Sequence, residues 1–239
     1  MSQQAWLIFC FFHVKAIILP SDPSVIPPTP SRAEYLDNGP RKMGWLQADE
    51  PISLFEKWLA KAGETEPNDP NAMSLATVGA DGLPDVRIVL LKGLSKDGFV
   101  FYTNGESAKG RQLAATGQAA LCFHWKSWHR QVRVRGAVRP VSGDISDAYF
   151  AERARGSRIG AWASDQSRPV ATREAMVDSV EAVEAKFADQ DVPRPPHWHG
   201  WCVEPTEIEF WQDGAFRLHD RILFTRSDSG DWAKARLYP

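Results

Sequence analysis

Hydrophobic residues change their spacing twice along this chain of 239 residues. Between Glu50 and Gly63 the apolar positions Leu54, Phe55, Trp58, Leu59 and Ala62 form one helical stripe. Pro51 falls in the first turn and Gly63 marks a stop, so the segment predicts an amphipathic helix. From Met73 the period shortens to that of strands. Met73–Val78, Val86–Leu91 and Gly98–Thr103 are short β-type runs separated by Gly79-Ala-Asp-Gly82 and Ser95-Lys-Asp-Gly98. A short helix is expected after Ser107, then a strand pair over Gln118–Trp125 and Gln131–Val141. Ser142 is placed to cap a helix running to Glu152. Thr172–Gln190 reads as a longer helix with Met176, Val180, Val183 and Phe187 inward, and three or four strands follow from Gly200. No internal repeat is present. Strands in succession with helices at the edges predict a mainly antiparallel β fold (α+β), closed or partly closed as a barrel. The alternation of strand and long helix that a doubly wound sheet needs is missing.

Residues 1–30 follow neither pattern: an apolar run over residues 5–19 leads into a Ser/Pro-rich stretch. The run is too short for an ordinary spanning helix, is broken by His13 and Lys15, and has no basic segment before it as a secretory signal would. Either the start site lies too far upstream or the segment is an extension that docks, anchors or frays. The fold is expected to occupy residues 31–239 as a single domain.

A net charge of −2 argues against a nucleic-acid binder, so clusters of Arg mark local sites. Ten Trp and twelve Phe suit a β-rich core or flat ligands. The three cysteines have neither paired nor metal-type spacing, which fits a reducing cytoplasm, and no membrane partner is expected.

Neither common glycine-rich phosphate loop is present, so any phosphate must be held by side chains. Arg87 and Lys92 flank an apolar tripeptide, though on a regular strand they would face opposite ways. Lys109 follows Ser107 in the first turn of a helix, where backbone amides favour an anion. Tyr149 and Arg153 are four apart on the helix after Ser142, with Ser157 just beyond: an Arg, a phenol and a hydroxyl match a phosphate monoester. Gln131 offers a donor and an acceptor to a planar heterocycle, while Arg133 and Arg135 fit a solvated or interface face. His197-Trp-His199 lacks a third ligand at a recognisable spacing, so no metal is expected. After the Asp213-Gly214 turn signal a strand run carries Arg217, His219 and Arg221 on one face. Two fixed cations around an imidazole suit either a solvated edge or an anionic, reactive partner.

Together these segments resemble the pyridoxamine 5′-phosphate oxidase family. The resemblance rests on Arg87-Ile-Val-Leu-Leu-Lys92, Phe99-Val-Phe-Tyr-Thr-Asn104, Arg130-Gln-Val-Arg133, Tyr149-Phe-Ala-Glu-Arg153, Gly156–Ser164, Gln166-Ser167, Pro193–Trp198, Ile208-Glu-Phe-Trp-Gln212 and Arg217-Leu-His-Asp-Arg221, in family order. It implies an FMN-binding split β-barrel with peripheral helices, a homodimer holding FMN at the interface, and oxidation of pyridoxamine or pyridoxine 5′-phosphate by O2. Carried over, Arg87 and Lys109 hold the FMN phosphate beside Ser167, Tyr102 and Thr103. The Ile88, Val89, Leu90, Leu91 and Lys92 run lies along the cofactor, and Gln131, Gln166, Trp211 and Arg221 complete its site. Lys92, Tyr149, Arg153 and Ser157 grip the substrate phosphate. Arg217, Leu218 and His219 meet the pyridine ring, with Arg217 and His219 catalytic, and Arg32 with Tyr35 close over it. One departure stands out: the family commonly has Arg where this chain has Ala108. The rivals are another split-barrel flavin oxidoreductase and a carrier that binds flavin or pyridoxal phosphate without turnover.

Overall fold

The computed structural model describes residues 30–36 and 43–239. Helix α1 (Arg32–Leu36) belongs to a unit separate from residues 41–239. It opens with a reciprocal cap: Glu34 N–H donates to Ser31 Oγ at 3.3 Å, and Ser31 N–H donates to Glu34 Oε2 at 2.7 Å. The expectation for residues 1–30 falls outside the described residues, apart from Pro30.

In the larger unit the order is α2 (Pro51–Thr65), β1 (Ala72–Val78), β2 (Pro84–Leu90), β3 (Gly93–Ser95), β4 (Gly98–Asn104), α3 (Ala108–Thr116), β5 (Gln118–Trp125), β6 (Arg130–Pro140), α4 (Gly143–Glu152), α5 (Arg155–Ala163), α6 (Arg173–Lys186), β7 (Trp198–Gln212), β8 (Asp220–Arg226) and β9 (Trp232–Leu237). Every ladder is antiparallel, and the path runs β2-β1-β5-β6-β7-β4-β3. β2 and β3 form one strand broken at Leu91–Lys92. Before the break it pairs with β1; after it, Lys92 N–H donates to Val100 O at 2.8 Å and β3 pairs with β4. The sheet thereby comes round on itself.

β7 organises the rest. Along one edge it pairs with β6 from Trp201 to Gln212. Along the other, Trp198–Val203 pair with β4 and Glu207–Gln212 pair with β8. The register with β6 shifts at Arg135/Gly136, where a Cβ on Gly136 would stand 1.8 Å from Glu204 O.

Alternation puts Val132, Val134, Ile208, Phe210, Ile222 and Phe224 inside, all at most 3% exposed. α2 packs against this core because Glu50 caps it, accepting from Ile52 N and Ser53 N, and because Leu54, Phe55, Trp58 and Ala62 are buried. Phe55 meets Phe99 and Phe123 edge-on, each at 4.9 Å. Arg130 is pressed between Trp58 and Trp128 at 4.1 and 3.9 Å, and burial lowers its pKa to about 10.

Several expectations need correction. Gly63 lies inside α2, which ends at Thr65 with the Glu66 N–H bonded to Ala62 O. Ser142 holds the N-cap position of α4 without a side-chain cap bond. The chain bends at extended Arg153 and starts α5, which the periodicity missed. On α6 Met176 is 45% exposed, while Val180 and Val183 are half-buried and Phe187, just past its end, is buried. No helix among the described residues is long and apolar enough to cross a membrane.

Phe55 has no exposed surface, so Phe55→Ala should lower unfolding free energy by about 3–5 kcal/mol. Urea denaturation of the cofactor-free protein measures this, and an unchanged midpoint would contradict the packing described.

Candidate active site

A cavity of about 560 Å³ opens where β2, β4, α3, α4 and α5 meet. β2 contributes Arg87, Ile88, Val89 and Leu90, and the break after it adds Lys92. That break resolves the opposed-face problem: Lys92 has left the strand and turns to the same cavity as Arg87. Leu91 does not follow; its side chain is 6% exposed in the core, so only its backbone borders the run.

α3 presents Lys109 because Ser107 caps the helix, accepting from Gly110 N at 3.2 Å. Lys109 Nζ donates to Gln166 Oε1 at 3.2 Å, and Thr103 Oγ1 donates to the same oxygen at 3.3 Å. Burial first, and the charge of Arg87 second, hold the Lys109 amine below its usual pKa. Opposite, Tyr149 stacks on Tyr102 at 4.1 Å and Tyr102 on Trp198 at 5.2 Å. Burial, then the neighbouring Tyr149 and Glu152, push the Tyr102 phenol upward. Arg153 lies 4.7 Å from the Trp198 ring, and its Nη1 is buried without a hydrogen-bond partner. Ser157 lines the same wall from the first turn of α5. Arg87, Lys92, Tyr102, Thr103, Lys109, Tyr149, Arg153, Ser157 and Gln166 are therefore brought together. Exposed Ser167, with φ of 71°, follows Gln166 but does not line the cavity.

The remaining residues form a second set on the outer face of β6, β7 and β8. Gln131 is in register with Trp211, and Trp211 with Arg221, so the three stand in one row. In the next row Glu209 is 4% exposed, accepting from Arg221 Nε at 2.9 Å and Arg133 Nη2 at 2.5 Å. Arg221 Nη1 also donates to Tyr238 O at 2.8 Å. Arg221 is thus paired, contrary to the unneutralised cation row expected. Arg135 likewise pairs with Glu207.

Arg217 is not on a strand. Residues 213–219 form a folded connection, and Phe216 and Arg217 adopt φ of 55° and 62° in a 3-10 turn. Gly214 is required there, since a Cβ would fall 1.7 Å from Leu218 O. Arg217 and Leu218 are exposed. His219 packs against Trp211 at 4.7 Å, with Nδ1 3.0 Å from Gly214 N and 3.1 Å from Asp213 Oδ1. Neutral at Nδ1 it accepts from Gly214; protonated there it donates to Asp213. His219 and Leu218 border a hollow of about 480 Å³ completed by the C-terminal residues Arg236–Pro239. Arg32 is exposed on α1, and the Tyr35 side chain is outside the described residues.

Sequence reasoning missed Glu209, Trp198 and the residues around Arg87. Glu209 gains its meaning only from strand pairing, where it stands in register with Arg133.

Two family models match the chain: pyridoxamine 5′-phosphate oxidase over residues 59–187, and the pyridoxine 5′-phosphate oxidase C-terminal dimerisation region over residues 198–239. The chain is 60% identical over 217 residues to a pyridoxine/pyridoxamine 5′-phosphate oxidase of Hyphomonas neptunium, covering 90% of this chain and 99% of the relative. It is 58% identical over 221 residues to the protein of that name from Maricaulis maris, covering 92% and 100%. The solved structure of PhzG from Burkholderia lata, in complex with tetrahydrophenazine-1-carboxylic acid, gives a TM-score of 0.78 at 30% identity over 84% of this chain and 98% of that one. An FMN-binding protein of Nostoc punctiforme shares the fold, with a TM-score of 0.65 at 18% identity over 81% of this chain and 100% of that one. Fold and site define a split-barrel flavoprotein oxidoreductase. The chain belongs to the pyridoxamine 5′-phosphate oxidase family.

Burial, the largest single influence on Glu209, pushes its pKa up; the Arg221 hydrogen bond and the charge of Arg133 outweigh it, and the net shift is downward. A carboxyl whose folded pKa is depressed stabilises fully above its unfolded pKa, and loses that contribution as pH falls through the folded value. Glu209→Gln should therefore flatten the loss of stability from the ordinary glutamate range downward. Urea midpoints measured across that range test this, and an acid slope identical to that of the unmodified protein would exclude it.

Proposed function

We propose that this enzyme oxidises pyridoxamine 5′-phosphate and pyridoxine 5′-phosphate at C4′ to pyridoxal 5′-phosphate, as a homodimer whose two sites each draw on both chains. One observation supports this reading: the expected site residues fall into two groups at opposite ends of β7. Trp198 lines the cavity at its start and Trp211 stands in the outer row at its end. At about 3.3 Å per residue they are roughly 40 Å apart along the strand. A flavin with a stacked pyridine ring does not span that path, whereas a second copy can set its outer row against the first copy's cavity.

FMN fits the cavity: Arg87 and Lys109 converge in a partly desolvated space suited to a dianionic phosphate, and the unpartnered Arg153 Nη1 suits a second one. In this reading Arg87 and Lys109 hold the FMN phosphate with Tyr102, Thr103 and Ser167 beside it, and the backbone from Ile88 to Lys92 follows the cofactor. Gln131, Gln166, Trp211 and Arg221 complete the flavin site. When bound, FMN would supply the redox chemistry, as acceptor of a hydride from C4′ and source of the electrons that reduce O2 to hydrogen peroxide.

The protein's part is to place and polarise. Lys92, Tyr149, Arg153 and Ser157 grip the substrate phosphate, and this remote binding fixes C4′ against the flavin. Arg217 holds the pyridine ring and stabilises negative charge developing on it. His219, with Nδ1 engaged by Gly214 and Asp213, offers Nε2 to the substrate. Arg32 and Tyr35, expected to close over the ring, lie on α1 in the separate unit. A split-barrel enzyme with an unphosphorylated substrate would have no use for the Lys92–Ser157 set, and a carrier none for Arg217 with His219.

Purified protein should show a flavin spectrum and consume oxygen with both phosphorylated substrates. Arg217→Ala should lower turnover on the order of 100-fold while retaining FMN; wild-type turnover would remove its assigned role. Ala108 leaves unmade a charge-assisted contact nominally worth about 1.5–3 kcal/mol. Ala108→Arg should bind FMN at least about tenfold tighter, and equal affinity would rule that contact out.

A further inference from the structure

The guanidinium of Arg87 is more firmly held than direct binding of a phosphate requires. Nη1 donates to Thr77 Oγ1 at 2.5 Å and to Leu75 O at 3.2 Å. Nη2 donates to Gln112 Oε1 at 3.1 Å and to the Asp85 carboxylate. A guanidinium has five N–H donors, so four are committed within the protein and Nε–H remains.

The bonds among these partners have a fixed direction. Arg87 has no acceptor, so Thr77 Oγ1 must accept from it and spend its one proton on Gln112 Oε1, 2.6 Å away. Gln112 Nε2 then donates to Asp85 Oδ2 at 3.2 Å, and this bond above all holds Asp85 below the usual carboxylate range, so it stays anionic. Thr77 is 2% exposed and shares the inward row of β1 with Met73 and Leu75, which are at most 1% exposed. A hydroxyl in such a row is costly to bury unless it is satisfied on both sides. Gln112 lies one turn beyond Lys109 on α3, so one helix carries a direct phosphate ligand and the brace for another.

We infer that Thr77 and Gln112 are positioning residues for Arg87, and that their directed relay sets the affinity of this enzyme for the phosphate of FMN. The inference rests on the proposed placement of that phosphate at Arg87. Because the relay needs a hydroxyl that accepts and donates at once, serine can replace threonine and isosteric valine cannot. A purely structural role in packing β1 against α3 would instead be met by valine, which fills the same volume.

The test uses full-length protein stripped of FMN, with FMN affinity read by quenching of flavin fluorescence and folding checked by urea midpoint. Thr77→Val should weaken FMN binding about tenfold, and Thr77→Ser should bind as the unmodified protein does. At saturating FMN the KM for pyridoxamine 5′-phosphate should not move in either. Should Thr77→Val fail to fold, Gln112→Leu on the half-buried face of α3 carries the same expectation. Unchanged FMN affinity in the folded variants overturns the inference, as does a Thr77→Ser protein as weak as Thr77→Val. Arg87→Met separates the two layers. If it binds FMN normally, the phosphate placement itself is wrong; if it loses FMN while Thr77→Val and Gln112→Leu keep it, only the relay is wrong.

Discussion

The structure depends on a pairing constraint at β7. One strand edge can serve one neighbour at a time, yet β7 must bond both β4 and β8 along the same edge. It does so by changing partner between Val203 and Glu207, and Pro205, which has no N–H to offer a ladder, stands in that changeover. On the opposite edge the Arg135/Gly136 shift absorbs the resulting bend. The barrel therefore opens on one side into the cavity and continues on the other as the β8–β9 flap.

Each half uses its charges differently. In the cavity, cations are crowded, partly desolvated and incompletely answered: Lys109 has its pKa lowered, and Arg153 has a buried donor without a partner. On the outer face Glu209 ties Arg133 and Arg221 to the sheet, so that row is ordered before anything binds. The first arrangement suits capture of an anion. The second suits presentation of a flat, rigid surface around Trp211. Past the Trp211 end of β7, two consecutive left-handed residues, Phe216 and Arg217, hold the exposed arginine in a conformation that costs of order 1–3 kcal/mol per residue, a kind of strain common at functional sites.

Most elements could be read from the sequence because periodicity and Asp-Gly or Gly-rich turns report burial directly. α2, α3, α4, α6 and the five strands β1, β2, β4, β5 and β6 fall where the pattern put them, with shifted ends, and three described strands, β7 to β9, answer the three or four expected near the C-terminus. The failures share a cause: each is decided by long-range contacts. Val-Leu-Leu-Lys reads as one continuous strand, and only the competing claims of β1 and β4 break it at Leu91–Lys92. Asp213-Gly214 promised a tight hairpin, but the Gln212↔Asp220 register leaves residues 213–219 to fold on themselves and lifts Arg217 off the strand. Site residues with strong chemistry, such as Arg87, Lys109 and Tyr149, could be picked out singly. Thr77, Gln112 and Glu209 could not, because a threonine in an apolar row or a glutamate among strand residues gains meaning only from its neighbour across the sheet.

The length of β7 also has a genetic consequence under the shared-site reading. A chain defective in the cavity and another defective in the outer row would each be inactive alone. Mixed as a heterodimer, they would place both defects in one site and leave the other site intact. Two null alleles of this gene could therefore complement one another, restoring up to half the activity of each mixed dimer.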